Sequence, residues 1–199
     1  MQLQLQDLRC LVSGGDPGPP PGPEYGVSLT TSASYIYFLG LAEADIHLEF
    51  RNMTDFVGTG LDIRECIGLE RILFPLLYTY YSDDANSLNI VDNGSLSTVD
   101  FSSLVSANGI HITGSPSLHN LAFPSLDFSL YPYFDYDFSN NGLNQASVDG
   151  ILARAAATMQ PDSNAGSLDL SGGTNASPSL QGLVDFNAIE LSGVTVFVN

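Results

Sequence analysis

The chain has no lysine and no tryptophan, and its 199 residues hold only five cations, Arg9, Arg51, Arg64, Arg71 and Arg154, against 22 Asp and Glu. The formal net charge of −17 repels phosphate backbones, so no nucleic-acid partner is expected. Charge of either sign is itself scarce, at 14% of residues, whereas 44% are hydrophobic. That balance excludes a disordered acidic tail and leaves enough apolar surface for one substantial core. Cysteine is limited to Cys10 and Cys66, on opposite sides of a proline-rich stretch. Two are too few for a disulfide framework; they read as separate thiols, with a bridge between them left open. No apolar run reaches the ~18 residues of a membrane span. Residues 1–12 lack the basic segment of a secretion signal.

Chemistry-bearing motifs are also missing. There is no G-x-S-x-G, H-E-x-x-H or phosphate loop. His47, His111 and His119 have no ligand spacing with each other or with cysteine. The carboxylate pairs Asp83-Asp84 and Asp135/Asp137 lack calcium-loop spacing and read as solvated charge. The sequons at Asn52, Asn93 and Asn175 matter only on a glycosylating route. The expectation is a protein without enzymatic activity, metal or cofactor.

What is present is a repeat. Gly68–Leu77, Ser95–Leu104 and Ser117–Leu126 each read small-Leu-x-x-apolar-x-Phe-x-x-Leu. Each follows an apolar-x-apolar triplet, Leu61-Asp62-Ile63, Leu88-Asn89-Ile90 and Ile110-His111-Ile112. Repeats of this length mark stacked units that bury a shared core. The triplets read as short strands with the middle residue outward, and the longer pattern as an irregular or single-turn return. Tyr136 to Leu143 then fits L-x-L-x-x-N-x-L, with Asn141 in the slot where a side chain satisfies a tight bend. Asn144–Met159 predicts a helix, N-capped by Asn144, with Val148, Ile151, Leu152 and Ala155 on one face and Pro161 beyond it. Leu168-Asp169-Leu170 is the next strand, Ser179–Leu191 a second helical return, and Val194–Val198 a covered closing strand.

The expected fold is therefore α/β, a leucine-rich-repeat-like solenoid over residues 61–199 with one parallel sheet, irregular returns in the middle and helical returns near the C-terminus. Residues 26–60 are assigned to an N-terminal cap, with a short helix at Leu41–Ala44. Residues 13–25 form a Pro/Gly linker. Residues 1–12, which alternate polar and apolar, form an extended strand that adds to a partner's sheet or back onto its own domain through Leu3, Leu5 and Leu8.

The repeats resemble leucine-rich-repeat proteins, and the Leu-x-x-apolar-x-Phe-Pro-x-Leu returns resemble receptor L-domains. Asp137–Leu143, Gln145–Leu152 and Leu168–Pro178 resemble a module of bacteriophage structural proteins and bacterial surface proteins, across residues 134–199; the Trp usual in that module's closing strand is missing. The resemblance implies a non-enzymatic virion component (head decoration, fibre or tail) held by its arm to other virion proteins, or else a bacterial surface adhesin or carbohydrate-binding module. A host-surface glycan or protein is the expected ligand, and a homo-oligomer is compatible with the layout.

Two surfaces are nominated for binding. Asp62, Asn89, His111, Asp137 and Asp169 should form an outward row along the sheet. Tyr78, Tyr80 and Tyr81, and Tyr131 and Tyr133, enter equivalent strands and should meet at one edge, offering rings for stacking beside carboxylates.

Overall fold

The computed structural model describes residues 2–4, 24–26, 35–40, 46–50, 53–82, 88–131, 134–159 and 166–199. In chain order the elements are β1 (Gln2–Gln4), β2 (Glu24–Gly26), β3 (Tyr35–Leu39), β4 (Ile46–Glu49), β5 (Asp55–Gly58), β6 (Gly60–Arg64), β7 (Leu69–Leu73), β8 (Thr79–Ser82), β9 (Leu88–Val91), β10 (Thr98–Asp100), β11 (Ser106–Ala107), β12 (Gly109–Thr113), β13 (Asp135–Asp137), α1 (Gln145–Thr158), β14 (Ser167–Asp169), α2 (Leu180–Leu191) and β15 (Thr195–Phe197). The fold is α/β with few helices, and every strand pair among the described residues is parallel.

Three open sheets form. The first has the order β1-β3-β6-β9-β12-β13-β14-β15, the second β10-β7-β4-β2 and the third β11-β8-β5. From β3 to β11 the chain visits first, second and third sheet in the same order three times. The triplets stand in register across the first sheet: Ile36, Leu61, Leu88, Ile110, Tyr136, Leu168 and Val196 form one buried column. Period-two alternation puts these residues inside and their neighbours outside.

Two of the three returns differ from the sequence expectation, and the third, Ser117–Leu126, is irregular as expected apart from one bridge residue. Leu69–Leu73 and Thr98–Asp100 are strands of the second sheet, extended by a bridge from Thr98 to Asn120. Their phenylalanines then stack in the interior. Centroids are 4.4 Å apart for Phe50–Phe74, 5.1 Å for Phe74–Phe101, 5.5 Å for Phe101–Phe123 and 5.0 Å for Phe123–Phe138. Phe50, Phe74 and Phe101 each follow directly on a strand of the second sheet, and Phe123 joins the stack from an irregular segment. The helices start where expected, with Asn144 and Ser179 side chains accepting from the N–H groups of Ser147 and Gly182. β15 is not fully covered, because Phe197 on its outer face is half exposed. Leu41–Ala44, Leu5, Leu8, Cys10, Tyr133, Asp83, Asp84 and Pro161 lie outside the described residues.

The first-sheet strands end in a shared turn. Gly40, Glu65, Asp92, Gly114 and Asn140 all have left-handed backbones, with φ between 54° and 68°. A Cβ at Gly114 would also meet the Asp92 carboxylate, which would have to swing aside. From Glu65 onward the residue after each of these turns is buried: Cys66, Asn93, Ser115 and Asn141. Asn93 donates from Nδ2 to the Ile63 carbonyl (3.0 Å), and its Oδ1 accepts from the Cys66 N–H (2.9 Å). Asn141 repeats this two units later, donating to Ile112 and Phe138 and accepting from the Ser115 N–H. Asn175 does the same toward Phe138, Leu170 and Leu143.

Candidate functional site

The five residues of the outward row are direct neighbours: Asp62 pairs in register with Asn89, Asn89 with His111, His111 with Asp137, and Asp137 with Asp169. Their surroundings divide them. Asp62 is only 8% exposed, and its Oδ1 accepts from Arg64 Nε (3.1 Å) and Nη2 (2.9 Å). It is therefore committed to an internal ion pair rather than presented to solvent. Asp137 Oδ1 accepts from the Ser139 N–H, and Asp169 Oδ1 from both the N–H and the hydroxyl of Ser171. Asp100 and Asp127 bond Ser102 and Ser129 in the same way. All four lie in Asp-apolar-Ser triplets, so the aspartates at 137 and 169 close the turn after their strand. The triplet recurs in the sequence and was a readable sign of that role.

His111 contacts a residue outside the nominated row. Its Nε2 lies 3.1 Å from Asp135 Oδ2, and Asp135 Oδ1 accepts from the Ser167 hydroxyl. Serine, aspartate and histidine thus meet on the outer face of three adjacent strands. Their order is wrong for a nucleophile, since the hydroxyl proton points to the carboxylate and not to the imidazole. The arrangement suits recognition of hydroxyl or amide groups. Among the described residues no group of three His, Cys, Asp or Glu side chains could hold a metal ion.

The tyrosines also separate. Thr79–Ser82 is a strand, not a loop, and alternation turns Tyr80 into the core, stacked on Phe56 at 5.0 Å with its hydroxyl accepting from the Leu61 N–H. Tyr80 is thereby a packing residue. Tyr81 points out, beside the exposed Val57 in register, and its ring centroid lies 6.0 Å from that of Tyr131. Tyr78 is exposed in the preceding turn. The third sheet therefore carries, on its outer side, a pair of rings from segments fifty residues apart in the chain, at 81 and 131.

Comparison with known proteins yields no match to any family model, curated protein or solved structure. The site has to be read from its own geometry.

Two features escaped the sequence. The unit beginning at Ile36 pairs fully with the next, Ile36 to Leu61 and Phe38 to Ile63. Its return, Ile46-His47-Leu48-Glu49-Phe50, is one residue short, and the structure absorbs the deletion as a register shift between Ile46 and His47. The sequons at Asn93 and Asn175 are the second: both side chains are buried and fully engaged in the turns, so neither amide faces an oligosaccharide-transferring enzyme in the folded chain. No helix among the described residues is long and apolar enough to cross a membrane.

Proposed function

We propose that this protein is a non-enzymatic structural and attachment protein, a component of a bacteriophage virion that displays a leucine-rich-repeat-like solenoid. The in-register columns of the first sheet support the solenoid reading, as do the Cys66, Asn93, Asn141 and Asn175 positions, which occupy the Asn/Cys slot of that repeat. Attachment is carried by one observation, the Tyr81–Tyr131 ring pair beside Val57 and Tyr78 on an outer surface. Aromatic rings spend little conformational entropy on contact, and they stack on the apolar faces of sugars and side chains. Asp135, Ser167 and His111 on the first sheet add hydrogen-bonding groups.

The N-terminal arm holds this domain in a particle. In the structure Gln2–Gln4 pairs with Tyr35–Tyr37 of its own sheet, the second of the two options open from the sequence. Anchoring then occurs by exchange of that strand onto a neighbouring virion protein. A glycan array and host-cell binding assay with the full chain should show binding that falls at least tenfold in Tyr81→Ala/Tyr131→Ala. Equal binding by the variant would refute attachment through this surface. The alternative, a bacterial surface adhesin or carbohydrate-binding module, shares the ring pair; it predicts the same binding but no incorporation into particles, where deletion of residues 1–23 would have no effect.

A further inference from the structure

Helix α2 is apolar on two opposite sides. Gly182, Phe186 and Ile189 form the line that faces α1 and the core. On the opposite line Leu180 is 86% exposed, Val184 60% and Leu191 84%, with the exposed Leu183 beside them. Single exposed leucines need no explanation, but a continuous strip does. This one offers apolar surface on the order of 500 Å², about what one side of a small stable interface must bury.

The strip names its own partner. It carries no charge, so nothing on it selects a partner of opposite sign; Asp185 and Glu190 lie off the line, and α2 has no basic residue. Its order is also self-complementary. With two copies of α2 antiparallel about a point between Asp185 and Phe186, Leu180 faces Leu191, Leu183 faces Ala188 and Val184 faces Asn187. The Asn187 amide already donates to the Leu183 carbonyl at 2.6 Å, so the strip's polar side chain is partly satisfied within its own helix. A surface that matches itself when reversed is what a two-fold interface requires. We propose that a second copy of this chain covers the strip, in a dimer with the α2 helices antiparallel. Two chains of charge −17 repel, so the dimer tightens as salt rises, opposite to capture of a basic partner.

Sedimentation equilibrium of the full chain at low and high salt tests this. The expected mass is twice 21.2 kDa, more fully so at high salt, returning to 21.2 kDa in Leu180→Glu/Leu191→Glu with an unchanged far-ultraviolet circular dichroism spectrum. A wild-type monomer at every concentration and salt would overturn the proposal, as would a dimer indifferent to the double substitution. If that variant does not fold, Leu180→Cys/Leu191→Cys in a Cys10→Ser background decides. The two positions are about 16 Å apart along one helix, too far to bridge internally, so mild oxidation should give covalent dimers from the double variant and not from Leu180→Cys or Leu191→Cys alone, as only the antiparallel pairing allows. Absence of such dimers would again overturn it.

Discussion

The side-chain oxygen of Asn93 accepts a hydrogen bond from the backbone N–H of Cys66, 2.9 Å away and 27 residues earlier. Together with the bond from Asn93 Nδ2 to the Ile63 carbonyl, it satisfies a turn that the left-handed Glu65 opens. Leaving both backbone groups buried and unpaired should cost about 2–4 kcal/mol. Asn93→Ala is therefore expected to lower the urea midpoint by that equivalent, and Asn93→Asp to fare no better, since it removes the donor and buries a charge. A shift of less than about 1 kcal/mol would mean that water replaces the amide.

Ser115 occupies the corresponding slot, and its buried hydroxyl is without a hydrogen-bond partner among the described residues. Asparagine there would reach back toward Asn93 and Ile90 as Asn93 reaches to Cys66 and Ile63. Ser115→Asn should raise the melting temperature by about 2–4 °C, the equivalent of roughly 1 kcal/mol in a chain of this size. Calorimetry checks the sign, and a fall would indicate that the slot is too tight for the larger side chain.

Tyr80 and Tyr81 are adjacent in sequence and opposite in effect. Tyr80→Ala removes a fully buried ring stacked on Phe56 and the hydroxyl that accepts from Leu61, and should cost about 3–5 kcal/mol. Tyr81→Ala should change stability by less than about 1 kcal/mol. Equal losses in chemical denaturation would contradict the placement of β8.

The Tyr136 hydroxyl donates to the Ala107 carbonyl at 2.6 Å inside the core. Burial pushes its phenol well above the ordinary value, and Tyr131 and Asp127 push the same way. A raised folded-state value means that the neutral form holds the fold together. That stability is complete below the unfolded value of about 10 and lost as pH rises past it. Tyr136→Phe should cost about 1 kcal/mol at neutral pH and show a weaker decline in stability above pH ~10 than the wild type.

Much of this arrangement was legible because the chain writes it three times. The columns Leu61/Leu88/Ile110 and Phe74/Phe101/Phe123 follow from the spacing, and the caps Asn144 and Ser179 follow from residue type. Strand parity was not legible inside Tyr78–Tyr81, because four residues of aromatic and polar character give no alternation from which to tell Tyr80 from Tyr81. The unit at Ile36 was hidden by one missing residue, which a strand ladder can absorb and a pattern match cannot. Asp62 looked outward by register, and it does leave the core. Arg64 two residues on then covers it, a contact between side chains that periodicity does not encode.

The in-register columns also set the order of events as the chain folds. Leu61 meets Leu88 and Leu88 meets Ile110, partners 27 and 22 residues away, and no described strand pairs through a tight hairpin. Each pairing must close a loop of that length before it returns any energy, which slows the first encounter. Once two units have met, the third finds a finished edge and a row of rings waiting for it. Folding should then spread from neighbour to neighbour, starting most readily where α1 already gives the chain local structure.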